Sequence, residues 1–230
     1  MAQRWTDLLF AHWPVDPGVV RARVPGSLAL DLHDGTAWVS VTAFLLSRLR
    51  PRGLPPMPCV SRFPELNVRT YVTRGGKPGV FFFSLDAGRR LAVVGARLLY
   101  HLPYFAAAMR IRTASDGTIT YVSRRTRGRT PAEFLASYRP AGPVVQAEPG
   151  TLDHWLTERY CLYAVGARRR LCRTDIHHAP WPLQPVEADI ARNTVSEAAG
   201  FSLPAPAPRA AFARRLDVVV WWPTRVTPGV

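Results

Sequence analysis

Short runs rich in β-branched and aromatic residues, each closed by glycine, proline or aspartate, recur along the whole sequence and leave little room for a helical fold. Such runs read as strands. They are Ala37 to Phe44, Leu66 to Val72, Gly79 to Leu85, Leu91 to Tyr100, Thr118 to Arg124, Leu171 to Ile176, Glu187 to Arg192 and Leu216 to Trp222. Turn signals such as Arg74-Gly75-Gly76-Lys77-Pro78-Gly79 and Asp116-Gly117 separate them. This spacing predicts a mainly β chain whose antiparallel sheet curls into a closed or half-open barrel. Helices are expected to be few, short and peripheral. Asp16-Pro17-Gly18 places proline at the first helical position after an N-cap residue. Thr130-Pro131-Ala132-Glu133 has the form of a capping box opening a helix that ends near Tyr138. A third helix is expected over Thr151 to Tyr160. Five prolines between Arg48 and Pro64 predict a long extended loop.

Length and composition narrow the function classes. With 230 residues, 47% of them apolar, and neither an internal repeat nor a linker, residues 1–230 are expected to form a single domain with a sizeable core. No stretch approaches the roughly 18 to 20 apolar residues of a membrane helix, so no membrane partner is expected. Met1-Ala2-Gln3-Arg4-Trp5 lacks an apolar signal core, which favours a cytoplasmic location. Cys59, Cys161 and Cys172 are odd in number and widely spaced, which suits a reducing compartment better than a disulfide framework or a zinc site. The formal charge is +14, with arginine clusters at Arg168-Arg169-Arg170 and at Arg124, Arg125, Arg127 and Arg129. Clustered cations attract phosphates. Lys77 is nevertheless the only lysine and no nucleic-acid motif is present, so the basic residues read as a solvated face.

Strand periodicity singles out one polar face. In a strand over Glu65 to Val72, Glu65, Asn67, Arg69 and Tyr71 project to one side, and Leu66, Val68, Thr70 and Val72 to the other. The second set is ordinary core. The first is a ladder of acid, amide, guanidinium and phenol, which an interior would accept only with partners or a ligand. A solvent-facing ladder is the alternative. Arg97 stands among apolar residues in the Leu91 to Tyr100 run and joins the candidates for the same reason. His12, His101 and the His177-His178 pair show no metal-ligand spacing beside a carboxylate, so no metal site is expected. There is no G-x-S-x-G elbow and no glycine-rich phosphate loop, and no cofactor is called for.

Several of these runs resemble, in order and over nearly the whole chain, the signature of the DUF2071 (YqjF-like) family. They include His12-Trp13-Pro14-Val15, Phe63-Pro64-Glu65-Leu66-Asn67-Val68-Arg69-Thr70-Tyr71-Val72 and Gly79-Val80-Phe81-Phe82-Phe83-Ser84-Leu85-Asp86-Ala87. Leu102-Pro103-Tyr104, Thr157-Glu158-Arg159-Tyr160-Cys161-Leu162-Tyr163 and His178-Ala179-Pro180-Trp181-Pro182-Leu183 complete the set. The resemblance implies an acetoacetate-decarboxylase-like fold, an antiparallel sheet wrapped into a cone around a pocket. Acetoacetate decarboxylase uses a lysine beside a second lysine, after an aromatic-proline step, to form a Schiff base; the paired cations depress the nucleophile's pKa. Here Tyr104 and Phe105 stand in their place, and Lys77 sits in a glycine-proline turn, so imine chemistry is excluded. Glu65 aligns with a glutamate lining the decarboxylase pocket, which favours an inward ladder. The decarboxylase's second pocket acid falls near Ser40 and is missing, while its N-terminal arginine falls loosely near Arg4.

The expectation is therefore a pocket for a small molecule, most simply a carboxylate. Arg69, Arg97, Asn67 and Tyr71 are the candidate ligand-binding residues. Glu65 is the candidate acid/base, balanced between desolvation and a neighbouring arginine, with Tyr71, Tyr104 or His101 as donors to an oxyanion. If the chain is an enzyme, its reaction is a lyase- or isomerase-type step on a keto acid. The alternative is a non-catalytic binding module or sensor for an acidic or amphipathic metabolite. Phe81, Phe83, Trp38 and Phe44 are expected as apolar walls. Glu158-Arg159-Tyr160 is expected to fasten a helix to the barrel, with Trp13 and Trp181 packing at the rim. Homo-oligomerisation is left open.

Overall fold

The computed structural model describes residues 1–56, 61–126, 131–166 and 170–227. Cys59, Arg127, Arg129, Thr130, Arg168 and Arg169, singled out above, lie outside them. In chain order the elements are β1 (Ala2–Val15), α1 (Pro17–Arg21), β2 (Ala29–Leu30), β3 (Ala37–Arg50), β4 (Phe63–Arg74) and β5 (Lys77–Ala87). Then come α2 (Arg90–Tyr100), β6 (Tyr104–Thr113), β7 (Ile119–Arg125), β8 (Glu133–Pro140), α3 (Leu152–Thr157) and β9 (Cys161–Val165). The series ends with β10 (Leu171–His178), β11 (Leu183–Gln184), β12 (Val186–Asn193), α4 (Thr194–Ala198), β13 (Arg209–Val220) and β14 (Thr224–Arg225).

Seven strands close a ring in the order β5-β9-β10-β13-β1-β3-β4, with β4 returning to β5. A wing of β6, β7, β8 and β12 branches from the ring at β5. The branch is possible because β5 divides its far edge: Val80 and Phe81 pair with β9, and Leu85 to Ala87 pair with β6. Both of these pairings are parallel, so the sheet is mixed rather than wholly antiparallel. Parallel neighbours need a crossover, and between β5 and β6 that crossover is α2.

Helix α2 occupies the stretch that was expected to be a strand. The pair Val93-Val94 suggests a strand, but the surrounding alanines, leucines and Arg97 are strong helix formers. Val93 and Tyr100, seven residues apart, fall on one helical face and are buried, while Val94, Arg97 and Leu98 face out. His101 ends the helix in the left-handed region, at φ 55°, ahead of Pro103. The reverse error occurs at β8, expected to be a helix. Phe134, Ala136 and Tyr138 alternate inward with period two, and the segment pairs with β7 and β12. Glu133 turns outward to accept from Arg192 at 2.6 Å instead of capping a helix. The N-cap at Asp16 is as expected, its carboxylate accepting from the Gly18 and Val19 amides. Thr151 caps α3 in the same manner.

Period-two alternation sorts the ring into an inner and an outer core. Leu8 and Phe10 of β1 point inward, and Leu9, Ala11 and Trp13 outward. On β4 the outward set is Leu66, Val68 and Val72, which the wing covers with Tyr121, Phe134 and Tyr138. Burying both faces explains why β4 is almost wholly inaccessible. Two wing phenols tie the layers together: Tyr121 donates to the Glu65 carbonyl at 2.7 Å and Tyr138 to the Asp7 carbonyl at 2.9 Å. Arg125, read from sequence as part of a solvated cluster, is instead buried and paired with Asp86 at 2.7 Å.

Candidate functional site

The ring encloses a cavity of about 110 Å³. A single water occupies some 10 to 15 Å³ on this measure, so the space suits several waters or a molecule of a few heavy atoms. Glu65, Asn67 and Arg69 all border it, because residues i, i+2 and i+4 of β4 share the inner face. Tyr71, next on that face, does not. Its hydroxyl is held by Ser40 at 2.6 Å and by His12 Nδ1 at 3.2 Å. His12 also meets Ser40 at 2.5 Å, and burial, with Arg69 and Arg209 nearby, holds its pKa well below the ordinary value. His12 is therefore a neutral structural group.

Glu65 is only 5% exposed. Burial raises its pKa to about 7, opposed by the hydrogen bond that Tyr104 Oη donates to Oε2 at 2.9 Å. The lowering by a neighbouring arginine expected from sequence is not among the causes. Tyr104 is itself pushed well above the ordinary phenol range by burial and by the Glu65 charge, so it stays a donor. Arg69 is 9% exposed, its Nε has no partner, and no ion pair joins it to an acid among the described residues. Its guanidinium carbon lies 5.6 Å from the centre of the Phe10 ring.

Two further candidates lie elsewhere. Arg97 is on the outer side of α2, where its Nε donates to the Tyr104 carbonyl at 2.6 Å and its guanidinium lies 5.7 Å from the Phe105 ring. His101 is exposed and packs near Gly166. Neither borders the cavity. The Arg97 expectation assumed that residues 91–100 form a strand, whereas they form α2, and His101 caps its C-terminal end away from the cavity. Arg4 is also outside, in a bidentate pair with Asp217 at 2.7 and 3.0 Å.

The aromatic walls are Phe44, Phe82, Trp5, Phe10 and Trp181. Phe81 and Phe83 point to the outer core, with Phe83 against Phe201. A register shift where β5 passes Val68 and Arg69 lets both Phe82 and Leu85 face inward, which simple alternation forbids. Trp38 lies outside the cavity wall, Trp13 is buried in the outer core, and Trp181 is a wall residue rather than a rim contact.

Sequence reading underrated Arg159. Glu158 and Tyr160 do fasten the loop after α3: Glu158 accepts from the Trp181 amide at 2.8 Å and from the Tyr160 hydroxyl. Between them Arg159 is buried and reaches the cavity. It is ion-paired to Asp31, its Nε donates to the Trp155 carbonyl at 2.6 Å, and Nη2 is left without a partner. Its only sequence signal was an arginine flanked by anchoring residues. Buried polar atoms without a protein partner gather around this one space: Thr42 Oγ1, Asn67 Oδ1, Arg69 Nε, Tyr100 Oη, Arg159 Nη2 and Trp181 Nε1. Such groups are costly in an interior unless something hydrogen-bonds to them.

No lysine side chain faces the cavity. Where the resemblance sets two lysines, Tyr104 points in and Phe105 points out, 3.9 Å from the Arg125 guanidinium. Lys77 is on the hairpin, 2.9 Å from Asp175. Among the described residues no group of three or more His, Cys, Asp or Glu is arranged to hold a metal ion.

A seven-strand ring with a wing and an enclosed cavity defines an acetoacetate-decarboxylase-like fold. The enduracididine biosynthesis enzyme MppR, with HEPES bound, aligns over 98% of this chain and 87% of its own at a TM-score of 0.70 and 13% identity. The acetoacetate decarboxylase of Legionella pneumophila aligns over 99% and 88%, at 0.65 and 13%. Residues 2–217 match the DUF2071 family model, described as "Uncharacterized conserved protein (COG2071)", and the chain belongs to that family. YqjF of Bacillus subtilis (strain 168) is 52% identical over 221 residues, covering 96% of this chain and 90% of that protein.

Proposed function

We propose that the cavity binds a small carboxylate, and that Glu65 moves a proton on a bound keto acid without any Schiff base. The observation that carries this reading is Arg69, a buried guanidinium with neither an acid partner nor a hydrogen bond on Nε among the described residues. A buried cation of this kind is stabilised by an anion, and the planar guanidinium matches a carboxylate in two-point contact. Strand rise separates the Cα atoms of Glu65 and Arg69 by about 13 Å. Both long side chains reach inward, and Asn67 lies between them, so a ligand held by Arg69 extends toward Glu65.

With its pKa near 7, Glu65 is poised to accept or return a proton at neutral pH, where an acid/base group is most effective. Tyr104 holds Oε2, which leaves the other oxygen for the substrate. Removing a proton α to a ketone puts charge on the ketone oxygen, and the unpartnered Nη2 of Arg159 is a suitable donor to it. A structure of MppR complexed with pyruvate supports beginning with keto acids.

The test is exchange of keto-acid α-protons for deuterium, followed by proton NMR in heavy water. Exchange above the buffer rate that disappears in Glu65→Gln supports the reading. Saturable binding without exchange, identical in the wild type and the variant, refutes proton transfer and leaves a non-catalytic binding module.

A further inference from the structure

The cavity has two unlike sides, and the order of strands in the ring sets them opposite each other. Thr42 of β3 and Asn67 of β4 are register partners, and both border the cavity. Thr42 Oγ1 and Asn67 Oδ1 have no hydrogen-bond partner among the described residues. With Glu65 and Arg69 they make a polar wall. In the closed order β5-β9-β10-β13-β1-β3-β4, the strands farthest from β4 are β10 and β13. Ile176 of β10 and Val220 of β13 border the cavity and are register partners, so they share the inner face. Val80 of β5 and Leu162 of β9 are paired in the same way. Leu162 lies opposite Thr174, two residues before Ile176, which makes it the diagonal neighbour of Ile176. The polar groups of β3 and β4 therefore look across at an aliphatic wall.

The charges leave room for one anion. Among the side chains bordering the cavity the charged groups are Glu65, Arg69 and Arg159, and Arg159 is already paired with Asp31. His178 turns its ring nitrogens to the carbonyls of Ala179 and Arg159, at 2.8 and 3.4 Å. A second carboxylate on the ligand would lie beside Glu65 or against hydrocarbon, and unpaired buried charge is costly. A volume of about 110 Å³ gives roughly seven to eleven water-sized positions, which leaves space beyond a pyruvate for a short side chain.

We propose that the ligand is a monocarboxylic keto acid with a short aliphatic side chain. Its carboxylate and ketone lie along β4, and its hydrocarbon lies against Ile176 and Val220. This assignment rests on the reading of Arg69 as the carboxylate site.

The experiment is isothermal titration of the full chain and of Val220→Thr with pyruvate, 3-methyl-2-oxobutanoate, its amide, and the dicarboxylate 2-oxopentanedioate. Burying the extra carbons should make 3-methyl-2-oxobutanoate bind about ten-fold more tightly than pyruvate. The dicarboxylate should bind more weakly than either. Val220→Thr keeps the branched shape but adds a hydroxyl, and should cut the preference about three-fold while pyruvate affinity is unchanged. Should that variant misfold, Ile176→Thr on the partner strand serves the same purpose. Equal affinity for the two monocarboxylates, tighter binding of the dicarboxylate, or a preference undiminished in the folded variant overturns the proposal and leaves the Arg69 reading standing. Equal binding of 3-methyl-2-oxobutanoate and its amide, or no binding by any of these compounds, overturns both.

Discussion

Replacing Glu65 by glutamine should make the protein's stability less sensitive to pH, in a direction and amount that follow from its burial. The Glu65 pKa rises from 4.5 to about 7 on folding. The folded state therefore holds this proton more tightly than the unfolded chain. The protonated side chain is accommodated fully below pH 4.5, and stability is lost as pH climbs from 4.5 through 7, where the native carboxyl ionises. At about 1.4 kcal/mol per pH unit, the loss is about 3 kcal/mol by pH 8. Glutamine keeps an oxygen for the Tyr104 hydroxyl and has no proton to release. Urea unfolding of wild type and Glu65→Gln at intervals from pH 4 to pH 8 isolates the effect, since every other titrating group cancels in the difference. The variant's stability relative to wild type should rise by about 3 kcal/mol across that range, or about 10 °C in melting temperature for a chain of this size. A difference constant to within about 0.5 kcal/mol would show that Glu65 is solvated, and would remove it as an acid/base at neutral pH.

Three more substitutions test the surroundings. Tyr104→Phe deletes the only bond that lowers the Glu65 pKa. It should cost about 1 kcal/mol and move the upper limit of the same pH-dependent loss above pH 7, read from the same urea series. Arg69→Met removes a buried charge that has no acid partner among the described residues, so thermal unfolding should show unchanged or raised stability, by about 1 kcal/mol or more. A clear drop would reveal a structural partner. Asp86→Ala leaves Arg125 buried and uncompensated, and chemical denaturation should show a loss of about 3 to 5 kcal/mol. A cost under about 1 kcal/mol would mean that the pair is solvated.

Much of the ring was legible because a β-strand has only two faces. Once residues 65–72 were read as a strand, Glu65, Asn67 and Arg69 had to share a side, and Leu66 and Val68 the other. That side could be assigned to the interior only through the family resemblance at Glu65, since an exposed strand has the same polar pattern. The phenylalanine wall was misread by one residue because the register shift in β5 breaks strict alternation, and no glycine or proline marks it. Residues 91–100 and 133–140 exchanged their expected states. In the first, two valines outweighed the helix-forming residues around them; in the second, a local capping pattern hid the inward alternation of Phe134, Ala136 and Tyr138. Parallel pairing of β5 with β6 and β9 depends on contacts across the sheet that no local pattern encodes. The same holds for Arg159, whose role is set by Asp31, 128 positions away in the chain.

We propose that Arg69 holds the carboxylate of a small acid inside the ring. Isothermal titration of the wild-type protein with pyruvate and longer keto acids, repeated on the folded Arg69→Met variant, tests it directly. Saturable one-to-one binding of at least one acid to the wild type is expected, and loss of that binding in the variant. Equal binding by both proteins would contradict it, as would the absence of binding by any acid together with binding of the uncharged amide of the same compound.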